Sequence, residues 1–422
     1  MLRPALGLIL SVLPVLAGAE QIEVRPGDGT ITAAISRAAD GDTFSLRPGT
    51  YHENLTLARP LTLNGGGKAE VKGTGQGSVI TVTGPDVTVR GLTISGSGSS
   101  HETIDSGVKL TKTADRAVVQ DNTLLANLYG VDIHGARDAR VAGNTIRGRR
   151  DHRMNDRGNG FYVWNAPGVV IEDNDVRWGR DGIFVNTSNH DIFRGNTFRD
   201  LRFAVHYMYA SNSEVSGNVS IGNDLGYAIM FSDRVKVVGN LSRGDREHGI
   251  MLNYTNRSEI RGNVIQNVKE KCLFAYNAHR NEIDGNLFEG CGIGIHFTAG
   301  SERNQITGNA FVGNRRQVKY VGTKWVEWSS NGRGNYWSDF AAYDVDGDGI
   351  ADIPYRPNDS MDHILWAQPA AKLLLGTPAV QLVRWSQSAF PALLPGGVLD
   401  SAALMRPPQI IIPGPMAQNA MQ

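Results

Sequence analysis

The stretch VSGNVSIGNDLGYAIMFSDRVKVVGN, residues 215–240, has one Gly-Asn pair near its start, at 217–218, and another at its end, at 239–240, one repeat apart. Similarly placed asparagines recur through the middle of the chain in steps of 22 or 23 residues, with one step of 30. Such a period is typical of a parallel β-solenoid, in which three short strands and three turns make one rung. Because stacked rungs lie about 4.8 Å apart, we expect the amides to hydrogen-bond in a ladder inside one turn. The ladder asparagines are Asn122, Asn144, Asn174, Asn196, Asn218, Asn240, Asn263, Asn286 and Asn309.

Each ladder asparagine fixes the position of the other residues on its rung. A strand is predicted to begin about 13 residues before it. The first and third residues of this strand are mostly apolar and should fill the core, so the second and fourth should face outward. The predicted strands are 131–134, 161–164, 183–186, 205–208, 229–232, 250–253, 273–276 and 295–298.

The chain is predicted to consist of a signal peptide, an N-terminal cap with the first coils, the β-helix repeats, a post-repeat segment and a C-terminal extension. Their bounds are 1–19, 20–69, 70–325, 326–363 and 364–422. Arg3, a short apolar run and the small residues at 17–19 make up the signal pattern, which predicts export from the cytoplasm. A short amphipathic helix is predicted over 30–39, and the apolar stretch 364–375 is predicted to be helical.

Composition argues against one class of partner. Lys+Arg 42 balance Asp+Glu 42, so no basic excess indicates a nucleic acid. Two cysteines, Cys272 and Cys291, lie on neighbouring rungs of an exported chain, where a disulfide is permitted. Their different phases in the repeat disfavour a bridge, which needs a short Cα separation, but leave the pairing open beside simple buried packing.

The outward strand positions are rich in aromatic, methionine and histidine residues, where a solvated sheet face would carry Thr, Lys and Glu. Exposed patches of this kind mark interaction surfaces. The step of 30 residues adds a loop within Gly148–Gly160, which is also a candidate for contact with partners. The predicted partner surface comprises His134, Tyr162, Trp164, Phe184, Phe274 and His296, with His152 and Met154 from the loop.

Four outward residues suggest a copper contact. His206 and Met208 lie on one predicted strand with their side chains on the same side. Met230 and Met251 are predicted on the next two rungs, directly along the stack. Imidazole together with thioethers suits Cu(I). The alternative is an aromatic and methionine docking patch without metal, and the two interpretations are compatible.

An acidic segment after the repeat matches the spacing of a calcium-binding loop, with Gly349 at its sixth position. Tyr355 stands at the twelfth position in place of the usual bidentate Glu, so the ligand shell is incomplete or weak. A structural calcium site is predicted, and a plain acidic turn is the alternative. The predicted ligands are Asp344, Asp346, Asp348, Ile350 through its carbonyl, and Asp352.

Many parallel β-helices are uronan lyases or epimerases, which need a base for the sugar proton and cations for its carboxylate. Asp181 and Arg202 are predicted at turns, and the predicted outward face lacks a Lys/Arg/Asp cluster. We therefore expect no catalytic residue. A uronan lyase or epimerase is the alternative function, and a purely structural scaffold is a third.

Several longer motifs carry a family resemblance. They are GNGFYVWN (158–165), RFAVHYMYA (202–210), GYAIMFSDR (226–234), GNYWSDF (334–340) and DGDGIADIPYRPND (346–359). Through them the chain resembles the NosD family, periplasmic β-helix proteins of nitrous-oxide reductase maturation within the pectin-lyase-like (CASH) repeat group. The stretch DGDTFSLRPGTYHENLTL likewise resembles the first coil of right-handed pectin-lyase-like β-helices.

The resemblance implies a right-handed parallel β-helix and a periplasmic location. It also implies partners: an ABC permease with its ATPase, a copper chaperone and apo nitrous-oxide reductase. The protein would relay copper or a sulfur species and hydrolyse nothing. Residues 364–422 would dock on the permease and associate the protein with the membrane through that partner.

Overall fold

The computed structural model describes residues 19–298, 300–322, 324–389 and 396–410. The predicted signal peptide, apart from its last residue, and the final twelve residues of the extension lie outside this part of the chain.

One rung consists of a longer strand followed by two strands of three residues, with a turn after each. In a central rung these are Phe203–Met208, Glu214–Ser216 and Val219–Ile221. Each strand pairs in parallel with its equivalent on the next rung, as Val205 does with Tyr227. The predicted right-handed parallel β-helix is confirmed, with its core filled by the inward side chains of all three strands.

The longer strands form a 12-stranded parallel sheet, called here the front sheet. Its strands are Leu55–Leu57, Ile80–Val82, Ser106–Leu110, Tyr129–His134, Phe161–Trp164, Asp181–Asn186, Phe203–Met208, Leu225–Met230, His248–Asn253, Lys271–Tyr276, Ile293–Thr298 and Val318–Val321.

The short strands form the other two faces. Near the N-terminus two longer strands, Thr62–Lys72 and Thr88–Ser95, each run through both of these faces. Before the Gly-Asn turn lie Gln21–Val24, Thr43–Leu46, Val118–Gln120, Arg140–Ala142, Val170–Glu172, Ile192–Arg194, Glu214–Ser216, Lys236–Val238, Glu259–Arg261, Glu282–Asp284 and Gln305–Thr307. After it lie Gly49–His52, Thr123–Leu125, Thr145–Arg147, Asp175–Arg177, Thr197–Arg199, Val219–Ile221, Leu241–Arg243, Val264–Gln266, Leu287–Glu289, Ala310–Val312 and Tyr336–Trp337.

The asparagine ladder is present as predicted, and Asn218 shows its pattern. Its Oδ1 accepts hydrogen bonds from the backbone N–H and the side-chain amide of Asn196, both at 3.0 Å. Its Nδ2 donates to the carbonyl oxygen of Phe193 at 2.8 Å and to Oδ1 of Asn240 at 3.0 Å. Because these groups are buried, each amide satisfies backbone polar atoms that water cannot reach.

The ladder extends one rung beyond the predicted repeat and ends on a carboxylate. Asn309 donates to Oδ1 of Asn335 at 2.9 Å. The buried Asp400 then accepts from the backbone N–H of Asn335 and from the indole of Trp337, both at 2.8 Å. The segment at 396–405 therefore belongs to the end of the β-helix, where Gly397–Leu399 pairs with Trp325–Glu327.

Helices occur at the two ends and in the inserted loop. Thr30–Ile35 covers the N-terminal opening, within the predicted 30–39. Met154–Asp156 is a 3₁₀ turn of the loop. The extension contains Ser360–Ala367, the 3₁₀ helix Pro369–Leu374 and Pro378–Ala389, of which the last was not predicted.

Cys272 and Cys291 form a disulfide, with a Cα–Cα distance of 5.7 Å. The expectation that their phases keep them apart was wrong. Cys272 lies at the start of a front strand, and Cys291 lies in the turn that leads to the next one. Both residues lie at the same corner of the solenoid, one on each of two neighbouring rungs. Although they differ in their position along the repeat, they are therefore close in space.

A buried carboxylate gives the fold a specific pH dependence. Asp191 is fully buried and accepts from the backbone N–H of Val169 at 3.1 Å and from Ser188 at 3.2 Å. Burial, partly offset by these hydrogen bonds, raises the pKa of Asp191 to about 7. The folded pKa lies above the unfolded value of about 3.9, so the protonated form stabilises the fold. This contribution is complete below pH ~4 and is lost as the pH rises to about 7.

Asp191→Asn should therefore raise the unfolding free energy at pH 8, by at most about 4 kcal/mol, and change it little at pH 4. Asn281 occupies the equivalent turn position four rungs later, where its Oδ1 also accepts a backbone N–H, so asparagine fits this turn. Denaturant unfolding at the two pH values provides the measurement. Asp40→Asn, on an exposed turn, is the control, and an equal response of both variants would contradict the assignment.

Candidate functional site

The outward surface of the front sheet consists of three columns of side chains, defined by the strand register. The inner column includes Asp181, Phe203, Leu225, His248, Lys271 and Ile293. The middle column includes Lys109, Asp132, Tyr162, Phe184, His206, Ala228, Met251, Phe274, His296 and Lys319. The outer column includes His134, Trp164, Asn186, Met208, Met230, Asn253, Tyr276, Thr298 and Val321.

The predicted register was wrong by two residues on one rung. Met230 was expected in the same column as His206, but it pairs with Met208 in the outer column, and His206 pairs with Ala228. Phe231 was expected in the core, yet it lies beyond the strand with 38% of its surface exposed. Tyr227 takes the core position that the prediction gave to Ile229.

The corrected register brings the four copper candidates, called here the copper cluster (His206, Met208, Met230 and Met251), around one small residue. Ala228 lies between His206 and Met251 in the middle column, and Met208 and Met230 are direct neighbours beside it. Ala228 faces outward but is fully buried, which indicates that the longer side chains close over it. The cluster spans three rungs, or about 10 Å along the stack.

Asp181 holds the imidazole of His206 in place. The carboxylate lies 3.2 Å from Nδ1 of His206 and accepts two hydrogen bonds from Arg202, at 2.8 and 2.6 Å. Burial raises the pKa of Asp181, but the hydrogen bonds from His206 and Arg202 outweigh it and keep that pKa below its usual value. An ionised carboxylate at Nδ1 places the proton on that nitrogen, which leaves Nε2 as the available metal ligand.

This role of Asp181 was missed. It was expected at a turn, as was Arg202, yet it begins a front strand with its side chain fully buried against the copper cluster. The strand register is the signal that could have revealed it. Asp181 pairs with Phe203 on the next rung, and Phe203 lies in the column beside that of His206.

An exposed row of contacting rings, called here the aromatic edge (Tyr209, Phe231, Tyr254 and Tyr276), borders the copper cluster. Their ring centroids are 5.1, 5.2 and 5.9 Å apart in that order. Their exposed fractions are 53, 38, 43 and 42%. The first three adopt left-handed backbone conformations, with φ of 51, 49 and 51°. Left-handed backbone is uncommon for aromatic residues and is energetically costly. Exposed apolar patches of this kind mark contact surfaces.

The predicted partner residues lie on the same outward surface, mostly in contact with one another. His134 stacks on Trp164 with centroids 4.4 Å apart. Tyr162, Phe184 and His206 form a continuous row, at 5.4 and 4.9 Å. At the other end Phe274 and His296 lie 4.9 Å apart.

The inserted loop contributes little to this surface. The side chain of His152 is exposed, and Sδ of Met154 lies 3.6 Å from Nη1 of Arg157 in the same loop. The loop instead packs toward the N-terminal end of the β-helix, since the carbonyl oxygen of Asp156 lies 3.1 Å from Nε2 of His101.

The expectation that the outward face lacks a Lys/Arg/Asp cluster was also wrong. Lys109 pairs with the fully buried Asp132 at 2.8 Å, next to His134. Burial raises the pKa of Asp132, which the charge of Lys109 only partly offsets. A groove of about 1030 Å³ opens beside Lys109 and His134. Charged side chains therefore flank the apolar centre of the front sheet at its N-terminal end.

Three of the predicted calcium ligands converge. Oxygens of Asp344, Asp346 and Asp348 lie within 4.8 Å of one another. Backbone N–H groups of Gly349 and others donate to Asp344 and lower its pKa. Asp352 instead accepts from the N–H of Val345, at 2.8 Å. The loop adjoins the end of the β-helix, because its Ile350 bridges to Leu404.

Within the part of the chain that the structure describes, there is no helix both long and apolar enough to span a membrane.

Solved structures of the same fold include a mannuronic acid-specific polysaccharide family 6 lyase from human gut microbiota and the family 28 exopolygalacturonase of Yersinia enterocolitica. Each aligns with a TM-score of 0.53, at 14 and 11% identity. The alignments cover 72 and 68% of this chain and 83 and 78% of those chains. At such identities the likeness shows the fold alone.

Sequence relatives are far closer. The protein of Stutzerimonas stutzeri named "Probable ABC transporter binding protein NosD" is 39% identical over 87% of this chain and 88% of its own length. The Pseudomonas aeruginosa protein of the same name is 40% identical over 95% of this chain and 96% of its own length. Residues 142–342 match the family described as periplasmic copper-binding protein (NosD). The chain therefore belongs to the NosD family.

Proposed function

We propose that this protein is the periplasmic binding component of an ABC transporter complex, and that it relays copper, or a sulfur species, to nitrous-oxide reductase during assembly of its copper centres. The copper cluster is the observation that carries the proposal. Three methionines and one histidine occupy the outward positions around Ala228 on three successive rungs. Soft ligands of this kind favour Cu(I), and an Asp–His pair behind the ligand orients it.

The cluster is suited to transfer as well as binding. Met208, Met230, Met251 and His206 are all partly exposed, so a partner protein can reach the metal without opening the fold. Thioether ligands bind Cu(I) without the redox chemistry of free thiols, and both cysteines are held in a disulfide.

The aromatic edge supports docking of a maturation partner beside the copper cluster. Its four rings form a continuous apolar border next to Met208 and Met230. A copper chaperone or apo nitrous-oxide reductase seated there would be placed over the metal. Aromatic residues are also enriched at the centre of protein interfaces relative to the rest of the surface.

The C-terminal extension supports contact with a membrane permease. Its helices carry large apolar side chains toward solvent, with exposed fractions of 89% for Leu373, 54% for Leu374 and 63% for Leu382. A surface of this kind is costly in water and suits the apolar surface of a membrane protein. The ATPase would then be reached only through the permease.

An anaerobic Cu(I) titration of the purified protein against a competing chelator tests the relay. We expect one Cu(I) to be withheld from the chelator by each chain, with saturable affinity. If the protein withholds no copper, the relay of copper is contradicted and the sulfur species becomes the cargo to test.

We also propose that the acidic loop binds a structural calcium ion through Asp344, Asp346 and Asp348, with the carbonyl of Ile350 as a fourth ligand. Millimolar calcium should raise the unfolding free energy by about 1 kcal/mol, as expected for a weak extracellular site. The measurement compares the free energy of unfolding in calcium with that in the presence of a calcium chelator.

Asp346→Asn should abolish the calcium response, whereas Asp151→Asn, an exposed carboxylate in the inserted loop, should retain it. A wild-type protein that unfolds identically with and without calcium would show that the loop is only an acidic turn.

A further inference from the structure

Basic and imidazole side chains gather at the C-terminal end of the front sheet, from the rung that carries Met251 to the third rung beyond it. This group, called here the basic pocket, contains His248 and Lys271 as direct neighbours in the inner column and His296 and Lys319 as direct neighbours in the middle column. Phe274 lies between the two histidine rings, with centroid distances of 5.4 Å to His248 and 4.9 Å to His296. The stacked rungs therefore hold both imidazoles at a fixed spacing.

The positive charge of the basic pocket is only partly balanced. Nζ of Lys271 lies 3.3 Å from an exposed carboxylate of Glu270 and over the ring of Phe274. Lys319 makes no ion pair within the described residues. Burial, then repulsion from Lys271 and Arg316, lowers its pKa. The charge of Arg316 also favours the ionised form of Asp362. Among the described residues, Lys319 is thus a half-buried cation without a counter-ion.

Each of the two histidines has a ring nitrogen that the fold leaves without a hydrogen-bond partner. Nδ1 of His248 and Nδ1 of His296 are buried without a hydrogen-bond partner. Burial, then the charges of Lys319 and Lys271, lowers the pKa of His296 to about 3, so its ring is neutral at pH 7. A neutral imidazole carries one N–H donor, and unpartnered buried polar atoms are costly unless something satisfies them.

We propose that the basic pocket binds a small tetrahedral oxyanion, of the phosphate or sulfate type. Such an ion accepts several hydrogen bonds, and its negative charge would balance the positive charge of Lys319. On the front sheet the patch is bordered by apolar outward side chains: Met251 and Phe274 on one side and Ile293 on the other. A long polyanion would need a basic surface that continues beyond these residues, which the front sheet does not provide among the described residues.

Isothermal titration of the full-length mature protein with inorganic phosphate tests the proposal, in a chloride buffer of constant ionic strength. Wild type should bind phosphate saturably. Lys319→Met, which keeps the aliphatic stem, should weaken binding about tenfold or more. Lys324→Met is the matched control. The side chain of Lys324 is 78% exposed and lies 3.2 Å from Glu302, so this variant should bind phosphate like wild type. Sulfate should compete with phosphate in all three proteins.

A second measurement does not depend on any variant. Phosphate should raise the pKa of the His296 ring, followed by NMR of its carbon-bound protons, because a nearby anion favours the imidazolium. Absence of saturable phosphate binding by wild type, equal binding by Lys319→Met, or an unchanged pKa of His296 at saturating phosphate would each overturn the proposal.

Discussion

Replacing Met208 and Met230 together with leucine is expected to lower the Cu(I) affinity of this protein by about 100-fold or more. The two residues are direct neighbours in the outer column, so both thioethers leave the copper cluster at once. Loss of a residue that only orients a ligand costs about 10–100-fold in metal affinity, so losing two ligands should reach at least the upper end. Leucine has nearly the volume of methionine, so the fold should be retained.

The measurement is the anaerobic chelator competition, repeated on the double variant. Met154→Leu is the control, because its sulfur lies in the inserted loop at 3.6 Å from Arg157, away from the copper cluster. Equal affinities of the double variant and the control would remove the copper assignment. The aromatic edge would still stand as a docking surface, and Tyr209→Ala with Phe231→Ala would then examine it alone.

The period of the asparagines was enough to predict the fold, because one buried amide per rung constrains how every rung stacks. It was not enough to fix the register of each strand. Around Ile229 the sequence is apolar from Tyr227 to Phe231, so alternation permits two registers. The structure selects the one that buries Tyr227, whose hydroxyl lies inside the core at 2.8 Å from each of the carbonyl oxygens of Asn218 and Leu241 and has its one proton to donate there.

Other features depend on contacts between distant positions, which periodicity does not report. Asp400 ends the ladder by binding Asn335, 65 residues earlier. Asp181 joins the copper cluster through His206, one rung on. The aromatic edge depends on left-handed backbone at Phe231, a conformation that its residue type rarely adopts.

The ladder itself predicts the second large effect. Asn218→Ala should lower the unfolding free energy by about 3–5 kcal/mol, because it removes four buried hydrogen bonds and leaves the side-chain amide of Asn196 and the carbonyl of Phe193 without this partner. Asn189→Ala is the matched control. Asn189 also accepts a backbone N–H, from Ser211 at 2.8 Å, but on an exposed turn where water can replace it, so the cost should stay below about 1 kcal/mol.

Chemical unfolding measures the difference, and hydrogen exchange locates it, since each solenoid rung contacts only its neighbours. Asn218 and Asn240 join the same two rungs that carry Met208 and Met230 on the front sheet. Weaker stacking of these two rungs should therefore also weaken Cu(I) binding, although the substituted amide lies on the opposite side of the rung from the copper cluster. Equal stability of the Asn218→Ala and Asn189→Ala proteins would contradict this role of the ladder. A destabilised Asn218→Ala protein with wild-type copper affinity would show that the copper cluster holds its spacing without it.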